Sequence, residues 1–157
     1  MSARTTHIEN MIPELDTMRD AVAAAAREET DTQSHHAYMR QARSLRAMYG
    51  QITSTWFNVE QEVKAETGSV DEETVELRYA ERLGQWLRAH ARDVAETMEG
   101  GEIDMLNECS SFKPAELATT RLFAARHHDM VAEFCERNAE ALDDRAAELR
   151  GETSPRP

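Results

Sequence analysis

The sequence predicts an all-α chain, an antiparallel four-helix bundle with two long helices at about residues 33–67 and 112–150. Three observations carry that reading. Between His36 and Lys64, Tyr38, Leu45, Ile52 and Val59 recur every seven residues, and Ala42, Tyr49, Trp56 and Val63 repeat the pattern four residues later. This 4-3 alternation is the seam of a long helix packed at a shallow angle on its neighbours. The 157 residues hold only 6 Gly and 4 Pro, so turns are few and elements long. No β-branched or aromatic run with period two occurs, which argues against a sheet. The length is that of one domain, taken as 1–157, with a polar arm at 1–5, a long loop at 100–113 and a polar tail at 151–157.

In chain order, Thr6 and Glu9 have the spacing of a capping box that would open the first helix. Pro13 would kink it, or move its start to about Ile12. Ile8, Met11, Ile12, Leu15, Met18 and Val22 lie on one face, and the alanines 23–26 continue it to about Glu29. The segment 30–34, TDTQS, is rich in N-cap residues and leads into the second helix. Gly50 inside that helix lowers its propensity by ~1 kcal/mol relative to Ala, which is read as room for a tight helix crossing. Gly68 ends it. Ser69 and Glu72 form a second apparent capping box, and Val75, Tyr79, Leu83, Trp86, His90, Val94 and Met98 trace the third helix to Gly100–Gly101. The fourth opens with Ser111 as cap and Pro114 in its first turn. Leu117, Ala124, Val131 and Asn138 repeat by seven, as do His128, Cys135, Leu142 and Leu149, until Gly151 stops the helix.

The charge limits the function. Asp plus Glu number 30 against 18 basic residues, a net charge of −12, and every basic residue but Lys64 and Lys113 is arginine. A carboxylate-rich, lysine-poor surface suits concentrated salt, where the Debye length falls to ~3 Å and like charges cease to repel. A halophilic setting is therefore expected. A GC-rich genome, which also replaces Lys by Arg, is the competing explanation. The acidity disfavours nucleic-acid binding, which needs cations to displace phosphate counterions. The exception to weigh is the face carrying Arg40, Arg43 and Arg46. MSARTTHIEN at the N-terminus lacks the apolar core of a signal peptide, and no run of about 18 apolar residues could span a membrane. The expected location is cytoplasmic at synthesis, with incorporation into a particle as an extension.

Candidate chemistry fails motif by motif. A di-metal carboxylate bundle needs Glu-x-x-His, yet the residues three before His35, His36, His90, His127 and His128 are Thr32, Gln33, Leu87, Ala124 and Ala125. A mononuclear metal site on His36, His90 and His128 is the weaker alternative; hydrogen-bonded core histidines are the simpler reading. Cys109 and Cys135 form no metal spacing. Cys135 lies two turns, roughly 10 Å, from His128, too far for a nucleophile–base pair. There is no Gly-x-Ser-x-Gly and no phosphate loop. No catalytic residue and no cofactor are expected, and the chain is read as a non-enzyme. The expected function is a helical interaction or assembly protein, such as an adaptor or connector of a larger particle of the tailed-virus kind, with protein partners or further copies of itself. Candidate contact residues are Ile103, Met105, Leu106 and Phe112 in the apolar loop, and Phe57 if it is exposed. A metal- or small-molecule-binding bundle and a nucleic-acid-associated regulator are the alternatives. Asn138 on the seam either fixes register or sits at an edge in water.

Overall fold

A computed structural model describes residues 2–28, 32–100 and 114–152, with side chains over 2–25, 27, 41–94 and 129–152. Four helices make up the fold: α1 (Ala3–Glu28), α2 (Thr32–Thr67), α3 (Glu72–Gly100) and α4 (Pro114–Leu149). The described residues include no strand. The long pair match the expected 33–67 and 112–150 to within two residues at each end.

The ends of the helices follow local chemistry. α1 begins at Ala3, so residues 3–5, expected as an arm, form its first turn. Its cap is Ser2, whose Oγ accepts from the Thr5 amide at 3.2 Å; the Thr6–Glu9 box is not used. Pro13 sits within α1 without ending it. Proline removes the N–H that would bond the carbonyl of Glu9. Both residues face solvent, where water can take that carbonyl. The cap of α3 is Asp71 rather than Ser69. Its Oδ2 accepts from the Thr74 amide at 3.1 Å and from the Thr74 hydroxyl at 2.6 Å. These hydrogen bonds hold the Asp71 carboxyl below its usual range. Gly68 and Gly151 take φ of 78° and 76°, the left-handed conformation that ends a helix.

Polar contacts between helices fix the topology as up-down-up-down. Tyr49 of α2 donates its phenol to Asp16 of α1. Arg82 of α3 grips Glu62 of α2 with two bonds of 2.9 and 2.7 Å. Arg88 of α3 pairs with Asp143 of α4. These pairs join antiparallel neighbours. The parallel pairs lie across the bundle: Cys135 Sγ stands 3.6 Å from Met48 Sδ, and the Ala3 amide donates to Glu72 at 3.1 Å. An arrangement in which the two long helices form a hairpin, with the shorter helices alongside, is therefore not adopted.

All four helices feed one core. Met11, Leu15, Met18 and Val22 meet Leu45, Ile52, Val59 and Val63, then Val75, Tyr79, Leu83 and Leu87, then Val131, Phe134, Cys135 and Leu142. Burying each large apolar side chain is worth ~1.5–3 kcal/mol. Tyr79, fully buried, donates its hydroxyl to the carbonyl of Ile52 at 2.8 Å, and burial pushes its phenol well above the usual range. At Gly84 α3 lies close against α4. A Cβ there would stand 3.5 Å from Asp143 Oδ1 and 3.8 Å from the carbonyl of Ala139. At Gly50 a Cβ would meet nothing within 4 Å. The expected tight crossing at Gly50 is not there, because that residue faces outward.

Candidate functional site

The most developed polar site joins α1, α3 and α4 at one end of the bundle. Glu76 is only 5 % exposed. His7, also buried, directs Nε2 to Glu76 Oε2 at 2.7 Å. With a carboxylate as acceptor, that nitrogen carries the hydrogen. Arg145 adds a fork, Nε to Oε2 at 3.0 Å and Nη2 to Oε1 at 2.9 Å. Burial pushes the Glu76 carboxyl up, but the hydrogen bonds from Arg145 and His7 outweigh it and hold the group below its ordinary value. The His7 ring is tilted against Tyr79, centroids 5.4 Å apart, and against Trp56 at 6.3 Å. His7, Glu76 and Arg145 line an open cleft of about 540 Å³ together with Asn10, Glu73 and Asn138. Both oxygens of Glu76 are occupied, so it is a structural anion rather than a free base. Of the side chains lining the cleft, His7, Glu76 and Arg145 are already bonded to one another.

Asn138 lies at the edge of this cleft, half-buried, with Nδ2 on the carbonyl of Phe134 at 2.9 Å. It is an edge residue bonded to its own helix and fixes no register across the seam.

The histidines proposed for metal do not form a described site. His90 is half-buried between α2 and α3. Its Nε2 is 2.8 Å from Ser44 Oγ, and its ring stacks on Trp86 with centroids 4.8 Å apart. Burial lowers its pKa, against a smaller upward pull from Asp93. The side chains of His36 and His128 lie outside the described residues. Among the described residues no three His, Cys, Asp or Glu side chains gather as metal ligands. Burial pushes the Cys135 thiol up to about 12, which leaves it an apolar core group rather than a nucleophile.

On the opposite side, α2 shows solvent a different surface. Phe57 is 58 % exposed, the most exposed large apolar side chain of those described. Arg43, Arg46, Ala47, Gly50, Thr53, Ser54 and Gln61 are exposed beside it. Thr53 and Ser54 turn their hydroxyls back onto carbonyls of their own helix, Thr53 to Tyr49 at 2.8 Å and Ser54 to Gly50. α2 contains no Asp or Glu before Glu60, a long interval for a chain this acidic. Of the other contact candidates, Ile103, Met105, Leu106 and Phe112 lie outside the described residues, as does the side chain of Arg40.

Sequence reasoning missed His7, Glu76 and Arg145. The signal was available for two of them. His7 extends the Met11–Leu15 stripe by one turn, and Glu76 lies four before Ala80 and seven before Leu83 on the buried face of α3. A polar residue at such a position asks for a partner. Among the described residues no helix is long and apolar enough to cross a membrane. No protein-family model, curated protein sequence or solved structure matches the chain.

Proposed function

We propose that the chain is a non-enzymatic interaction module that works by assembling with protein, through the outer face of α2. The observation that carries this reading is Phe57, held outside a core that is complete without it. A rigid aromatic ring on a regular helix is the usual anchor of a protein contact. The interval without carboxylates that precedes it on α2, up to Glu60, supports the same reading, since it lessens the repulsion that the rest of the surface would offer a partner. Both oxygens of Glu76 in the cleft are bonded by His7 and Arg145, which supports a structural role for it. A structural adaptor or connector of a larger particle, such as a tailed virus of a halophilic system, is the concrete form of the proposal. The charge of −12 with arginine in place of lysine supports the halophilic setting alone.

The test is the native mass from size exclusion with light scattering in molar KCl, for the natural chain and for Phe57→Ser. A discrete oligomer that Phe57→Ser weakens is expected. A monomer at every concentration up to the solubility limit overturns assembly of the chain with itself.

A further inference from the structure

Resting on that reading, we propose that the occupant of the α2 outer face is a second copy of this chain, packed antiparallel about a twofold axis near residue 52. The argument begins with spacing. The exposed residues Arg43, Ala47, Gly50, Ser54, Phe57 and Gln61 follow one another at intervals of four, three, four, three and four. These intervals mark one outward line of the helix, with its back to the Leu45, Ile52, Val59 and Val63 side that fills the core; what distinguishes the line is that small residues, Ala47, Gly50 and Ser54, precede the exposed ring of Phe57. A 4-3 seam suits packing against another helix at a shallow angle. Among the described residues nothing lies against the middle of this one, where a Cβ on Gly50 would meet nothing within 4 Å.

The seam is complementary to itself in one orientation. Reversed on a twofold axis, Ala47 faces the partner's Phe57, Gly50 faces the partner's Ser54 and Arg43 faces the partner's Gln61. The bulky ring meets the small side chain twice, and the two smallest positions meet at the centre, where the backbones come closest. Residues beside the seam agree. Arg46, Thr53 and Glu60 are seven apart on one flank, so the same twofold axis sets Arg46 against the partner's Glu60 and Thr53 against its own copy. Among the described residues neither Arg46 nor Glu60 makes an ion pair, so both are available across the axis; Arg4, Arg43 and Arg92 are without one as well. A parallel pairing would set Phe57 on the partner's Phe57, Gly50 on Gly50 and Arg43 on Arg43, so rings and cations would meet their own kind and the fit would be lost. Two copies of a chain with charge −12 repel over most of their surface; this face carries no carboxylate until Glu60, which the pairing uses.

Sedimentation equilibrium over a concentration series tests the proposal, at the lowest salt that keeps the chain folded, so that the charge pair is not screened. Phe57→Ser and Gly50→Leu are each expected to weaken a dimer by about tenfold or more, as loss of a central anchor or of close approach does. Both sites are exposed, so circular dichroism should show the fold retained. Arg46→Glu and Glu60→Arg should each weaken the dimer, and the double variant should regain most of the loss. Thr53→Cys should form an intermolecular disulfide under mild oxidation, and Gln61→Cys should not. A discrete oligomer indifferent to all these substitutions overturns the α2 pairing and leaves the assembly reading in place. Crosslinking at Gln61→Cys in preference to Thr53→Cys overturns the antiparallel orientation. A natural chain that stays monomeric throughout overturns both the pairing and self-assembly.

Discussion

Gln41 is the residue least at ease in this fold. It is 2 % exposed, and among the described residues neither its amide nitrogen nor its carbonyl oxygen finds a partner. An unpaired buried amide costs about 1–3 kcal/mol. Gln41→Leu, close in volume and without polar atoms, should therefore raise unfolding stability by roughly that amount, read from a urea melt. Glu76 is the opposite case, a buried carboxylate with every oxygen bonded. Its folded pKa lies below the unfolded one, so its contribution is present above the ordinary carboxylate value of about 4.3 and is lost as pH falls through the depressed value. Glu76→Gln should cost about 1–3 kcal/mol near neutral pH. The gap between the two proteins should narrow below about pH 4. A parallel acid limb in the two melts would show that the carboxylate contributes nothing.

At the scale of elements, periodicity was the most readable signal. Leu45, Ile52, Trp56, Val59 and Val63 of the inner seam of α2 and the Val131–Cys135–Leu142 stripe of α4 are buried as their spacing predicts, Ala42 and Tyr49 are half-buried, and Gly68 ends α2 as a left-handed residue. Features that depend on which way a helix faces in the assembled bundle were not readable. Pro13 is tolerated because its side of α1 is wet. Gly50 and Gly84 look alike in sequence, yet Gly84 lies at the close approach of α3 and α4 while Gly50 faces outward. The triad at the cleft is spread over the chain, with 69 residues from His7 to Glu76 and 69 more to Arg145. No local pattern joins such positions. Gly50→Ala adds a side chain that meets nothing, so in dilute solution it should stabilise the chain by about 1 kcal/mol through helix propensity alone. A denaturant melt below the concentration of any self-association measures this.

Over the whole molecule, arginine–carboxylate pairs stitch neighbouring helices from outside: Arg78–Glu66 and Arg82–Glu62 between α2 and α3, Arg88–Asp143 and Arg150–Glu81 between α3 and α4, and Arg137–Glu14 between α4 and α1. Exposed pairs of this kind contribute only ~0.2–1 kcal/mol each, and salt screens them. The same salt relieves the mutual repulsion of the excess carboxylates. If the acidic surface is an adaptation to brine, relief outweighs the lost pairs and the melting temperature should rise from low salt to molar KCl. A fall would leave the GC-rich genome as the simpler account of the composition.

The open cleft has a consequence for how the bundle comes apart. α1 rests along α2, but where it passes α4 the two part around a solvent-filled gap and are held by Arg137–Glu14 and the Glu76 cluster. α3 and α4, by contrast, make the most extensive pairing in the molecule. The bundle is thus a closed hairpin with a flap hinged on one side. Native-state hydrogen exchange should see two cooperative units, α1 amides exchanging through a partial opening at lower free energy than those of α3 and α4. His7→Leu, which removes the bond to Glu76, should lower protection in α1 more than in α3. Equal protection in all four helices would mean that the flap and the hairpin open as one.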